Sequence, residues 1–185
     1  SCSIYGEVKN LPVNEESELI PLSPYGETKL FCEKILRWCS SSSKLKYVSL
    51  RYFNAAGADF DQEIGENHNP ETHLIPLVIR SLNEGIELKI FGDNYNTEDG
   101  TAVRDYIHVN DLARAHLKAI EYLSSKGKSD FFNLGSGYGT SIMNIVNKLE
   151  SISGLKIKKE FCPKRIGDPS ELYADIKKAK NILNW

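Results

Sequence analysis

No apolar run in these 185 residues approaches the ~18 residues that a membrane-spanning helix needs, so no helical membrane anchor is expected within the chain. Charge of one sign is also missing. The formal net charge is −2, whereas a nucleic-acid binder usually carries a marked basic excess, so no nucleic-acid partner is expected. Cysteine is scarce: Cys2, Cys32, Cys39 and Cys162 fit no zinc-binding spacing and are too few for a disulfide scaffold of this length. They read as free thiols of a reducing compartment, packed as small hydrophobes. A cytoplasmic location and no metal are the matching expectations. The opening Ser1–Asn10 lacks the charged start and apolar centre of a signal peptide. No internal repeat is visible, and low complexity is confined to Ser40–Ser43, which reads as a helix-ending loop. What is present, 41% hydrophobic and 26% charged residues, suits a globular unit with a real core.

Periodicity then sorts the chain into alternating elements. Pro24 to Cys39 carries Leu30, Ile35, Leu36 and Trp38 at helical spacing, behind a candidate N-cap at Ser23 with Pro24 in the first turn. Lys46–Phe53 reads as a strand, and Asn54–Glu71 as one long functional loop. Helices are expected over Leu74–Leu82, Asn110–Leu123, Ser141–Ile152 and Ile176–Leu183. Strands are expected over Leu88–Phe91, Asp105–His108, Phe131–Leu134 and Lys156–Phe161. Strands alternating with helices predict an α/β fold with parallel pairs.

Tyr25 and Lys29 stand four apart on the first predicted helix, hence on one face, a turn apart. A phenol titrates near ~10 and is a poor base at neutral pH. A neighbouring ammonium stabilises the phenolate and lowers that value. The pair can therefore do base chemistry that a lone tyrosine cannot.

The surrounding strings carry a resemblance. Ser1-Cys2-Ser3-Ile4-Tyr5-Gly6 followed by Ser23-Pro24-Tyr25-Gly26-Glu27-Thr28-Lys29 resembles the extended short-chain dehydrogenase/reductase superfamily. Four further strings resemble the UDP-glucose (UDP-galactose) 4-epimerases within it. They are LRYFNAAGA (Leu50–Ala58), FGDNYNTEDGT (Phe91–Thr101) with VRDYIHV (Val103–Val109), FNLGSG (Phe132–Gly137) and PKRIGDP (Pro163–Pro169).

The resemblance implies a catalytic Ser1, Tyr25 and Lys29, and NAD as cofactor, bound by the same three residues and Phe53. It implies contacts to UDP-glucose or UDP-galactose from Asn54, His73, Leu74, Lys89, Phe91, Arg104, Tyr106, Ile142, Arg165, Asp168 and Leu172. Arg104 and Arg165 would grip the diphosphate, as a guanidinium can do bidentately, and Asp168 would accept from a ribose diol. His73 departs from an Asn common in relatives, and Leu172 occupies a variable sugar-facing position. His108 reads as a packed strand histidine rather than an acid or base. In isolation, Arg104 would read as a surface partner of Asp105. Gly135-Ser136-Gly137 mimics a dinucleotide loop, but the third glycine and the acidic residue ~20 positions on are missing.

The implied fold is α/β: the C-terminal part of a Rossmann-type parallel sheet plus a smaller α/β substrate-binding domain. Residues 1–58 would belong to the NAD-binding part. Residues 59–185 would be mainly UDP-sugar-binding, with some segments packing back on the first part. A homodimer is the family habit. The family also has about 120 preceding residues with a glycine-rich phosphate loop. None stands before Ser1, so the chain is expected to be a C-terminal portion, inactive and without NAD on its own.

Two rivals remain open at this point. One is another sugar-nucleotide enzyme, a 4,6-dehydratase or a 4-epimerase of a different UDP-sugar. Dehydratases carry Asp-Glu after the triad Ser or Thr, where this chain has Cys2 and Ser3. The other is a non-catalytic nucleotide-sugar-binding module, against which Ser1, Tyr25 and Lys29 together argue.

Overall fold

The computed structural model describes residues 1–61, 63–125 and 127–185. In chain order, a 3₁₀ turn (Cys2–Ile4) precedes α1 (Pro24–Ser42), β1 (Val48–Tyr52), β2 (Asn54–Ala56), α2 (Leu74–Glu84), β3 (Leu88–Phe91), β4 (Val103–Arg104) and β5 (Tyr106–His108). Then come α3 (Val109–Ser124), β6 (Asp130–Leu134), β7 (Thr140–Ser141), α4 (Ile142–Ser153), β8 (Lys159–Cys162), β9 (Glu171–Leu172) and α5 (Lys177–Leu183). The α/β class with parallel pairing is the one expected.

Helix α1 begins as its sequence dictates. The Ser23 hydroxyl accepts from the Gly26 N–H at 3.1 Å and Pro24 fills the first turn, where a missing N–H costs nothing. Its end differs from expectation. Ser40–Ser42 remain helical, because the Ser41 and Ser42 hydroxyls donate back to the Trp38 carbonyl and Ser43 donates to that of Cys39. These bonds partner carbonyls that a helix end leaves free. Only Gly26, Leu30 and Glu33 of α1 are buried. Ile35 and Trp38 are exposed, as are Cys32 and Cys39, which are therefore not core hydrophobes. At the buried start of the helix the 3₁₀ turn presses on Gly26, where a Cβ would stand 2.5 Å from the Ser3 carbonyl oxygen.

Strand β1 pairs in parallel with β6, from Val48↔Asp130 to Tyr52↔Leu134. Strand β2 pairs in parallel with β5, Asn54↔Tyr106 through Ala56↔His108. It occupies the start of what the sequence presents as loop, since its three residues are held by a distant ladder and carry no periodicity. Strands β3 and β8 form a third parallel pair, and β4 lies between β7, antiparallel, and β9, parallel.

Three apolar clusters fill the spaces. Ile4, Tyr5, Val13, Leu30, Phe53 and Leu172 meet behind the 3₁₀ turn and α1. Ile107, Leu112, Phe132, Leu134 and Leu183 pack with Val48 and Leu50, joining α3 and α5 to the β1–β6 pair. Val78, Leu88, Ile90, Val146 and Ile157 form a separate core between α2, α4 and the β3–β8 pair.

One buried ionic network locks α1 to β1. Arg51, 2% exposed, binds Glu33 with Nε–Oε1 at 3.0 Å and Nη2–Oε2 at 2.8 Å. It also donates to the Tyr5 hydroxyl at 2.9 Å, which donates to Asn133 Oδ1 at 2.6 Å. Burial pushes the Tyr5 phenol up to about 12, against the pull of Arg51, so it stays a donor. Arg51 is thus structural, though its string belongs to the resemblance.

Candidate functional site

A cleft of about 710 Å³ opens beyond the carboxyl ends of β1 and β3. Open α/β sheets place their ligands at that end. The first turns of α1, α2 and α4 also border it, through Tyr25, Leu74–Leu77 and Ile142. Helix N-termini present unpaired N–H groups and partial positive charge, and so favour an anion. Ser23 caps α1 and Ser141 caps α4, whereas His73 at the start of α2 makes no side-chain cap bond.

Ser1, Tyr25 and Phe53 line this cleft. So do Asn54, His73, Leu74, Lys89, Phe91, Arg104, Tyr106, Ile142, Arg165, Asp168 and Leu172. Lys29 does not. Its ammonium lies 5.1 Å from the Tyr25 ring centroid, one turn behind the ring and on the same helix face. Tyr25 is 56% exposed, open to a ligand. The Ser1 hydroxyl lies 3.2 Å from that of Ser3 and accepts from the Ser3 N–H. Phe53 is buried at the cleft floor, its N–H donating to Leu134 at 3.0 Å. Adjacent Cys2 offers no nucleophile, because burial pushes its thiol up to about 11.

Two arginines also line the cleft. The Arg165 guanidinium stacks 4.0 Å above the Phe91 ring, which fixes the end of an otherwise mobile side chain. Arg104 donates to its own carbonyl-bearing neighbour Val103 at 2.8 Å, and its Nη2 stands 3.7 Å from Asp168. That carboxylate leaves Arg104 spare donors. The ion pair with Asp105 suggested by adjacency does not form. Asp105 is fully buried and accepts from Ser136 N, Ser136 Oγ, Gly137 N and Ala174 N. The Gly135-Ser136-Gly137 turn, which mimics a phosphate loop, therefore spends its N–H groups on a carboxylate of the same chain. A Cβ at Gly135 would collide with that carboxylate. Burial pushes the Tyr106 phenol above its ordinary value, partly offset by Asn54 and the Arg104 charge, so it meets a ligand as a neutral phenol. His108 is a packing residue: Nδ1 accepts from Asn110 N at 3.2 Å, and its ring stacks 4.9 Å from Phe60.

The cleft also takes in Ile166 of the PKRIGDP string, and Thr72 and Pro76, which flank His73 and Leu74 and carry no motif of their own.

Residues 1–135 match the sequence model of the NAD dependent epimerase/dehydratase family. The UDP-glucose 4-epimerase of Halalkalibacterium halodurans is 48% identical over 186 residues, covering 100% of this chain and 56% of that protein. That of Lactobacillus helveticus is 46% identical with the same coverage. The chain thus spans about 56% of the length of these curated relatives. The crystal structure of UDP-glucose 4-epimerase from Brucella ovis in complex with NAD superposes with a TM-score of 0.93 at 45% identity, over 100% of this chain and 57% of that one. The enzyme from Bifidobacterium longum, in complex with NAD+ and UDP, gives 0.93 at 37% identity, over 100% and 56%. The chain belongs to the NAD dependent epimerase/dehydratase family.

Proposed function

We propose that the protein is a UDP-glucose 4-epimerase, interconverting UDP-galactose and UDP-glucose through a 4-keto sugar with NAD as its cofactor. The observation that carries this reading is one cleft lined both by the Ser1/Tyr25 pair and by two arginines, Arg104 and Arg165. The most similar relatives carry that activity in their names, and the neighbours from Brucella ovis and Bifidobacterium longum were crystallised with NAD or NAD+.

The residues fit the roles. Ser1, Tyr25 and Phe53 border the cleft end where a nicotinamide ribose and ring would be held, with Lys29 behind Tyr25. NAD, when bound there, supplies the hydride acceptor and donor. The phenolate of Tyr25 takes the sugar 4-hydroxyl proton and returns it when the ketone is reduced. The Ser1 hydroxyl holds the 4-oxygen through both steps. Lys29 sets its positive charge beside the Tyr25 ring, 5.1 Å from the centroid. Arg104 and Arg165, with the N-termini of α2 and α4, bind the diphosphate, and Asp168 accepts from the ribose diol. Anchoring the substrate at the nucleotide end leaves the hexose free to present either face.

In this reading residues 1–58 belong with the cofactor-binding part and 59–185 mainly with the sugar-nucleotide part. β5, α3, β6 and α5 pack back on β1, as their shared apolar cluster with Val48 and Leu50 supports. A homodimer is part of the proposal, supported by Phe31, Ile35 and Trp38 exposed along α1. So is a cytoplasmic location, supported by four unpaired cysteines. No described helix is long and apolar enough to cross a membrane.

The test is conversion of UDP-galactose to UDP-glucose by the full-length protein and its Tyr25→Phe variant. Loss of the base should cut turnover ~100-fold or more with UDP affinity retained. Near-normal turnover of the variant removes Tyr25 from the chemistry.

A further inference from the structure

Glu66, His68, Glu71 and His73 lie within one short stretch of loop before α2, and their four candidate donor atoms all fall within 4.8 Å of one another. His68 Nδ1 stands 3.0 Å from Glu66 Oε1 and 3.6 Å from Glu71 Oε2, and His73 Nδ1 also contacts Glu66 Oε1. The two imidazoles are more than half exposed, and the Glu66 and Glu71 side chains are less so, at 19% and 5%. Among the described residues, no Lys or Arg pairs with either glutamate. Two close carboxylates disfavour each other's charge unless a cation stands between them. Glu71 Oε1 is engaged by the Thr72 and His73 N–H groups at 2.7 and 2.8 Å, which fixes the side chain and leaves Oε2 facing His68.

Two imidazole nitrogens and two carboxylate oxygens suit a zinc ion better than calcium or magnesium, which prefer all-oxygen sites. Zinc–nitrogen and zinc–oxygen bonds of about 2.0–2.2 Å place tetrahedral ligand atoms roughly 3.5 Å apart, so a small closing movement of the loop completes the site. We propose that Glu66, His68, Glu71 and His73 form a zinc-binding site that braces this loop at the mouth of the cleft, to which His73 also belongs. The proposal runs against the expectation of no metal, which was drawn from cysteine spacing and does not register a ligand set built from His and Glu. It shares His73 with the cleft, while Glu66, His68 and Glu71 lie outside the cleft lining.

The test uses the full-length protein, stripped with chelator and carrying Cys32→Ser and Cys39→Ser so that exposed thiols do not compete. Zinc chloride is titrated by calorimetry near neutral pH, and thermal unfolding is followed with and without zinc. One zinc per chain is expected, with a zinc-dependent rise in melting temperature, as follows when a ligand binds only the folded state. His68→Ala and Glu71→Gln should each weaken zinc by at least the ~100-fold that marks the upper end for losing a mere outer-shell partner, and abolish that rise, while His116→Ala keeps both. Glu71→Gln retains an acceptor for the Thr72 and His73 N–H groups, so its loss of zinc reads the ligand rather than the loop. Absence of one-to-one binding, or equal affinity in the His68 and Glu71 variants, overturns the site.

Discussion

Replacing Asp105 by Asn converts one carboxylate oxygen to an NH₂ group and leaves the shape of the side chain intact. In the native protein Oδ1 accepts from Ser136 N at 2.6 Å and Ser136 Oγ at 2.7 Å, while Oδ2 accepts from Gly137 N and Ala174 N, both at 3.1 Å. An amide can satisfy only one of these sides. Its cheaper orientation turns the NH₂ toward Ser136, whose hydroxyl can rotate and accept, leaving the Ser136 N–H without a partner. Ser136 is exposed and this bond only part-buried, so its orphaned donor costs about 2 kcal/mol, in the middle of the range of about 1–3 kcal/mol for a buried one, and the surviving bonds lose about 1 kcal/mol of charge assistance. The sum is about 3 kcal/mol. At this chain size each kcal/mol lowers the melting temperature by roughly 2–4 °C, giving a fall of about 6–12 °C. Differential scanning calorimetry reads it directly. A variant melting within ~2 °C of the parent would refute the claim that Asp105 staples the Gly135–Gly137 turn and Ala174 to β5.

Glu33→Gln should lower stability by about 3–5 kcal/mol, the usual cost of stripping one partner from a buried ion pair, read as a shift in urea midpoint. Replacing both partners, Glu33→Leu with Arg51→Met, should recover most of it. Acid stability should depend on Glu150. Lys156, Lys159 and the Ile157 N–H hold its carboxyl down to about 2 from an ordinary 4.5. A depressed carboxyl contributes above its unfolded value and loses that contribution as pH falls toward the folded one. The gap in melting temperature between the parent and Glu150→Gln should therefore be full at pH 7 and shrink steadily below about 4.5. A pH-independent gap contradicts the sign.

The chain was legible where local rules decide. Ser23-Pro24 announces the start of α1, and apolar spacing marks α2, α3 and α4, because caps and periodicity act within one or two turns. The strings around Tyr25, Phe53, Arg104 and Arg165 pointed to residues that share a cleft, though nothing local says that β3 and β1 deliver them to the same place. Two-residue strands such as β4, β7 and β9 have no period to read, and β2 exists only through its pairing with β5. Arg51 and Asp105 were the least readable. Charged residues are expected outside, and each is inside because distant partners, Glu33 and the Ser136–Gly137 turn, satisfy its charge.

Calorimetric titration of UDP into the full-length protein and its Arg104→Ala and Arg165→Ala variants tests the central assignment most directly, since it isolates the nucleotide end of the cleft from the chemistry. The account predicts one-to-one binding to the parent, weakened in each variant by about 1.5–3 kcal/mol, the worth of a charged hydrogen bond, or about 10- to 150-fold in affinity. Unchanged UDP affinity in both variants would contradict it.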